Sequence, residues 1–357
     1  MLTIKDTVIA NKYYFNHQNE TTLFFDIETT GFSPDVSSLY LIGCLYFREE
    51  KWNLVQWFAD DYISEKAILV EFFDFLRSFK TIVHYNGTGF DIPYLLKKCI
   101  QYNLTFDFNK VESFDLYKKI SFLKPLLNLK NLKQKTVEEF LGISRKDPFD
   151  GGKLISVYCD YMKNKIFSKP CNQEFDALLL HNKEDLLGLL SSTNLLRYQD
   201  FLNGAFQVVE TKICEDYLQI HLLLEHSLPN DLSLKKEDYS FAVSDTIVDV
   251  KVFIIKDTLK YFYKNYQDYY YLPQEDTAIH KSVAAYVDQS FRKKAKISTC
   301  YTRKDGLFLP QYEDKLTPAF QREYKSKPYY FELTESFVND YSCVKSYVVD
   351  LFESIKI

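Results

Sequence analysis

Leu23-Phe24-Phe25-Asp26-Ile27-Glu28-Thr29-Thr30-Gly31 is an apolar run broken by two acids and closed by turn-forming residues. It reads as a strand over residues 23–28 that ends in the Thr-Thr-Gly turn. Residues two apart on a strand project from the same face, so Asp26 and Glu28 stand side by side. Their strand neighbours call for burial, and two like charges are costly there unless a cation joins them. A divalent metal ion would remove that cost. An Asp-x-Glu triplet also arises by chance, usually solvated, so the reading depends on what accompanies it.

Two further motifs accompany it. Residues 81–96 read as a strand, a glycine-rich turn containing Asn86, and a helix whose first turn holds Pro93. Asp91 falls at or near the N-cap of that helix, where capping alone would explain an aspartate. A longer helix over residues 173–202 carries an apolar stripe of Phe175, Leu178, Leu179, Leu186, Leu189 and Leu190. His181 and Asp185 are i and i+4 on it, hence neighbours on one face, as an ordinary surface pair would also be.

Taken in order, Phe-Asp-Ile-Glu-Thr-Thr-Gly on a strand, Asn86-x4-Asp91 entering a helix, and His181-x3-Asp185 late on another resemble the DEDD exonucleases of the ribonuclease H-like superfamily. The chain looks most like the YprB-type ribonuclease H-like proteins of bacteria, a likeness extended by Phe114-Asp115-Leu116-Tyr117, the 131–142 stretch and Asp150-Gly151-Gly152. It covers about residues 20–200. The resemblance implies that Asp26, Glu28, Asp91 and Asp185 bind two ions of Mg2+ or Mn2+. It also implies that Asn86 and Thr29 face the substrate, that His181 is the general base, and that nucleotides leave the 3′ end of a DNA or RNA strand. One branch of the family has a Tyr four residues before the last Asp and another has a His five before it; this chain puts a His at the Tyr spacing. Phosphodiester hydrolysis needs a nucleophile from water and charge stabilisation at phosphorus, and two divalent ions about 3.5–4 Å apart supply both. Carboxylates are the oxygen ligands such ions prefer. The alternative is a nucleic-acid-binding or protein-interaction module that keeps the fold without turnover.

Composition agrees without deciding. At 357 residues and 46% hydrophobic content the chain can bury a large core, and its length favours two domains. No run is long and apolar enough to span a membrane, and the first residues lack a secretory pattern. Seven cysteines without Cys-x-x-Cys spacing read as reduced thiols, pointing to the cytoplasm. No Walker loop, zinc-ligand spacing or nucleophile elbow appears. The net charge of −5 argues against indiscriminate nucleic-acid binding, and the acidic cluster accounts for much of it. Arg292, Lys293 and Lys294, in the most basic stretch, are candidate strand contacts or simply a solvated face. Tyrosines near them read as stacking platforms or as the rim of an aromatic core.

The organisation expected is a leader over residues 1–20, a ribonuclease H-like α/β domain over 21–203 with a mixed sheet flanked by helices, and an α+β domain over 204–357 of unknown role. Within these, helices are expected at 64–79, 124–141, 150–163, 277–288 and 335–355. A turn at Lys304-Asp305-Gly306 is expected to separate two short strands.

Overall fold

In the computed structural model, which describes residues 1–10, 13–14, 20–106, 108–149 and 151–355, the run around Asp26 belongs to a six-stranded sheet. Its strands are β1 (Leu2–Val8), β2 (Thr22–Thr29), β3 (Leu39–Arg48), β4 (Lys51–Phe58), β5 (Thr81–His84) and β6 (Glu112–Asp115), ordered β1-β4-β3-β2-β5-β6. β1, β4, β3 and β2 pair antiparallel, while β5 and then β6 continue from β2 in parallel. Parallel neighbours need crossovers, here built with the helices α1 (Glu65–Leu76) and α2 (Asp91–Gln101). The leader therefore supplies an edge strand; its residues 11–12 and 15–19 lie outside the described residues.

The alternation of β2 decides which side its acids take. Leu23, Phe25 and Ile27 belong to the core that contains Ile68 and Phe72 of α1, and the Phe25 and Phe72 rings lie 5.5 Å apart. Burying a Phe stabilises by roughly 1.5–3 kcal/mol. A one-residue slip would exchange these side chains for Asp26 and Glu28, so register is strongly specified. Buried Glu65 on α1 accepts from Leu39 N (2.6 Å) and Tyr102 Oη (2.6 Å) and pairs with Lys98 of α2 at 2.9 Å. The two helices are thereby tied to the start of β3.

After β6 come α3 (Leu116–Ile120), α4 (Leu123–Leu126), α5 (Gln134–Phe140), α6 (Gly151–Ile166), α7 (Asn172–Ser192) and, past a 3-10 turn, α8 (Leu196–Leu202). The single helix expected over 124–141 is thus two. Asn128 stops the first in the left-handed region at φ 51°. The side chain of Asn131 then accepts from Lys133 N (2.9 Å) and Thr136 Oγ1 (2.8 Å), competing with continued helix. Gly142 ends α5 at φ 70°, as expected of a C-cap glycine. Asp150, expected to open α6, lies outside the described residues.

The chain divides into two compact units, Met1–Gln199 and Asp200–Ile357. The second contains an antiparallel sheet of β7 (Phe206–Ile213), β8 (Tyr217–Leu224), β9 (Leu232–Lys235), β10 (Tyr239–Ser244) and β11 (Ile247–Phe253), ordered β7-β8-β11-β10-β9. Two three-stranded sheets follow, built from β12 (Ile255–Phe262), β13 (Tyr269–Leu272), β14 (Thr277–His280), β15 (Lys293–Lys294), β16 (Tyr301–Gln311) and β17 (Tyr329–Glu332). Helices α9 (Lys281–Ala284), α10 (Glu335–Asn339) and α11 (Tyr341–Glu353) complete it.

Three expectations fail in this unit. Residues 277–280 are a strand paired with β13, leaving only α9 helical; β-branched Thr277 and Ile279 alternate with Ala278 and suit a pleat. Lys304-Asp305-Gly306 is the middle of β16, not a turn, because β12 offers a partner along its length and Gly306 lies opposite Asp257. The C-terminal helix breaks at Asp340, whose carboxylate caps α11 by accepting from Ser342 N and Cys343 N (3.1 and 3.0 Å).

Candidate metal centre

Asp26 and Glu28 share the face of β2 opposite α1, and α7 lies over that face. The close approach is made by Gly43 of β3, which stands opposite Asp26 on one side and Gln56 of β4 on the other. A Cβ there would lie 1.8 Å from Asn182 Oδ1. Asn182, fully buried on α7, uses the space: Gln56 Nε2 donates to its Oδ1 (2.9 Å) and its Nδ2 donates to Asp26 Oδ2 (3.0 Å). Gly43→Ala should therefore destabilise the protein by about 1–3 kcal/mol through overpacking, read as a lower urea midpoint at unchanged m-value.

The same helix brings His181 and Asp185 to Glu28. His181 Nε2 lies 3.0 Å from Asp185 Oδ2 and 3.8 Å from Glu28 Oε1. Ligand atoms of these three residues lie within 4.8 Å of one another, the arrangement of a metal-binding group. Glu28 is 8% exposed, and its Oε1 is buried without a hydrogen-bond partner. An orphaned carboxylate oxygen inside an acidic cluster is costly, and a divalent cation fits the position.

Asp91 is the first residue of α2, not its N-cap; Phe90 holds that position and makes no side-chain cap. The Asp91 carboxyl is buried. The turn before it is held by Asp115, at the end of β6, which accepts from Asn86 N (3.0 Å), Thr88 N (3.4 Å) and the Thr88 hydroxyl. Burial pushes the Asp91 carboxyl up to about 7, and the Asp115 and Asp185 charges add to it. Burial, then the charges of Asp185, Glu28 and Asp91, holds Asp26 well above the carboxylate range. Glu28 is raised likewise by burial and by Asp185 and Asp91. Burial also opposes charge on Asp185, but hydrogen bonds and charge from His181 and Arg145 outweigh it and hold this carboxyl low. The imidazole is raised, against burial, by Asp185 and Asp147. Asp26, Glu28 and Asp91 thus resist ionisation beside the charged Asp185, which is what a bound cation relieves.

Loop residues absent from the sequence reading complete the site. Arg145 holds buried Glu138 of α5 with two nitrogens, both at 2.5 Å, and reaches Asp185 Oδ1 at 2.5 Å. Asp147 Oδ2 lies 2.6 Å from His181 Nδ1. No one-dimensional signal links these residues to α7. Gly43 did carry one, since an isolated glycine inside a strand marks close backbone approach.

The other candidates are placed as follows. Thr29 ends β2 and donates its hydroxyl to Gly31 O (2.8 Å). Asn86 is exposed, in the left-handed region at φ 60°. In the second unit, Arg292 lies over Tyr270 at 5.1 Å and donates to Ala284 O, while Lys293 and Lys294 are exposed on β15.

Residues 23–196 match the family model RNase_H_2, described as RNase_H superfamily, and the first unit has the ribonuclease H-like fold. Among solved structures, the chain is similar to the family B DNA polymerase of Pyrobaculum calidifontis at 15% identity, covering 69% of this chain and 35% of that one, with TM-score 0.33. It is similar to the zinc-bound ExoI–ssDNA complex of E. coli at 15% identity, covering 63% and 54%, with TM-score 0.28. Exonuclease I from Methylocaldum szegediense gives 11%, 62%, 53% and 0.28. The chain thus spans between about a third and about half of the length of these proteins. No curated protein matches it.

Proposed function

We propose that this chain is a metal-dependent 3′–5′ exonuclease of the DEDD type, hydrolysing DNA or RNA single strands with two divalent ions, Mg2+ or Mn2+. The observation that carries the reading is the buried, partnerless Glu28 Oε1 facing Asp185 and His181 in a cluster that also charges against Asp26 and Asp91. Asp26, Glu28 and Asp185 would hold one ion, with Asp91 and Asp26 holding the other. When bound, the ions supply a nucleophile from water at neutral pH and neutralise charge at the phosphorus and the leaving oxygen. The bond broken is that between phosphorus and the 3′ oxygen, releasing a nucleoside 5′-monophosphate and a new 3′ end.

The protein's share is positioning. Asn182 fixes the Asp26 carboxylate from one side, and Arg145 fixes Asp185. Phe32, 90% exposed, follows the turn after β2 and meets Phe90, which precedes Asp91, at 6.1 Å edge to face. An exposed ring beside the ligands suits stacking with a terminal base, an interaction worth about 1–3 kcal/mol. Phe32→Ala should raise KM for single strands about tenfold and leave kcat nearly unchanged in initial-rate measurements. Lys293 and Lys294 are proposed as phosphate contacts of the second unit. Seven free cysteines suit a reducing compartment, the cytoplasm. Among the described residues, no helix is long and apolar enough to cross a membrane.

The test uses single-stranded DNA and RNA labelled at either end, with Mn2+ or Mg2+. A 5′-labelled strand should shorten stepwise, while a 3′-labelled strand should release labelled mononucleotide at once. The reverse pattern would refute the polarity. Metal binding without cleavage of either strand would make the chain a binding module.

A further inference from the structure

We infer that His181 is itself a metal ligand: Glu28 Oε1, His181 Nε2 and Asp185 Oδ2 form one face of a site that takes Mn2+ in preference to Mg2+, with Asp147 as the outer carboxylate that aims the imidazole. This rests on the metal centre proposed above and changes the role that the sequence resemblance implied for His181.

The geometry comes first. Adjacent ligands on an ion with bonds of about 2.1 Å lie roughly 3 Å apart. His181 Nε2 is 3.0 Å from Asp185 Oδ2 and 3.8 Å from Glu28 Oε1, so the nitrogen sits within the ligand set and not behind it. Glu28 Oε1, buried and without a partner, is aimed into the same gap.

The second observation is on the far side of the ring. Asp147, with its side chain 1% exposed, meets His181 Nδ1 at 2.6 Å. When the ring is protonated, Nε2 donates to Asp185; a cation in the gap would displace that proton, and the one kept on Nδ1 by Asp147 then leaves the Nε2 lone pair for the ion. Metal-binding histidines are ordinarily held this way, by a carboxylate on the other nitrogen. Asp147 is held in turn: its Oδ1 accepts from Phe149 N (3.0 Å), and its own amide and that of Lys146 donate to the Glu184 carboxylate of α7. Arg145 and Asp147, two apart on this loop, thus reach Asp185 and His181, four apart on one helix face. An imidazole among carboxylates favours first-row transition ions, whereas Mg2+ prefers oxygen alone.

The experiment is calorimetric titration of the full chain, free of nucleic acid, with Mn2+ and separately with Mg2+. Wild type, His181→Ala and Asp147→Asn are compared, with melting temperatures in chelator confirming folded protein. Mn2+ affinity should fall at least about tenfold in His181→Ala and about tenfold in Asp147→Asn, the scale on which outer-shell partners act. Mg2+ affinity should change less. Unchanged Mn2+ affinity in His181→Ala overturns the inference, and lost hydrolysis in that variant would then make His181 a base. Should His181→Ala not fold, unchanged Mn2+ affinity in Asp147→Asn overturns it equally. If wild type binds Mn2+ through His181 yet cuts no strand, the exonuclease reading fails and this inference stands.

Discussion

Asp26→Asn should abolish hydrolysis while making the metal-free protein more stable. The amide keeps the oxygen that accepts from Asn182 Nδ2, so local geometry survives. Losing a carboxylate that would be shared by both ions should lower kcat by about 10^3-fold or more, the scale on which charge-stabilising groups act. The stability gain follows from the same charges. Burial and the charges of Asp185, Glu28 and Asp91 hold the folded-state pKa of Asp26 above its unfolded value. For an acid raised in this way, the folded state binds more protons, so stability falls as pH rises from the unfolded pKa through the folded one. Above the folded value the penalty is complete. Removing it should add about 1–3 kcal/mol at pH 8, or roughly 2–12 °C in Tm for a unit of this size. The gain should fade toward pH 4. Thermal melts in chelator read it directly, and Mn2+ should then raise the Tm of wild type more than that of the variant, which keeps Glu28, His181 and Asp185. A variant less stable than wild type at pH 8 would contradict the assignment of mutual repulsion.

Arg145→Met should have the largest effect on stability. Glu138 is 2% exposed and Arg145 is its charged partner, donating through two nitrogens. Removing one side of a buried pair costs about 3–5 kcal/mol because the other charge is stranded, which corresponds to a Tm loss of roughly 10 °C. Adding Glu138→Leu should recover most of it, since replacing both charges with apolar groups is often neutral. It should not restore Mn2+ affinity, because Asp185 Oδ1 still lacks the guanidinium that orients it. A double variant as unstable as the single one would show that Arg145 acts mainly through another contact.

How far the sequence carried depends on whether neighbours in space were also neighbours in the chain. Asp26 and Glu28 on one strand face, and His181 and Asp185 on one helix face, follow from local periodicity and are found so. The mixed sheet follows from alternating strands and helices. The loop that holds the site was not legible, because Asp147 lies 34 residues from His181 and Arg145 lies 40 from Asp185. Ser144-Arg145-Lys146-Asp147 has the look of any polar connection. Expected turns and helices failed where pairing outweighed local preference, as along β16, or where asparagine side chains interrupted a helix, as at Asn128 and Asn131. Asp91 sits at the start of its helix, as its place in the chain predicts, one residue past the N-cap, and is a buried first-turn carboxyl beside other acids.

The central claim is that Asp26, Glu28, Asp91 and Asp185 are a cation site. Diffraction from Mn2+-soaked crystals, collected at the manganese edge, tests it most directly. An anomalous peak within bonding distance of Glu28 and Asp185, absent in crystals of Asp26→Asn or displaced there, is the result predicted. Ordered manganese elsewhere on the protein, with none among these carboxylates, would contradict it.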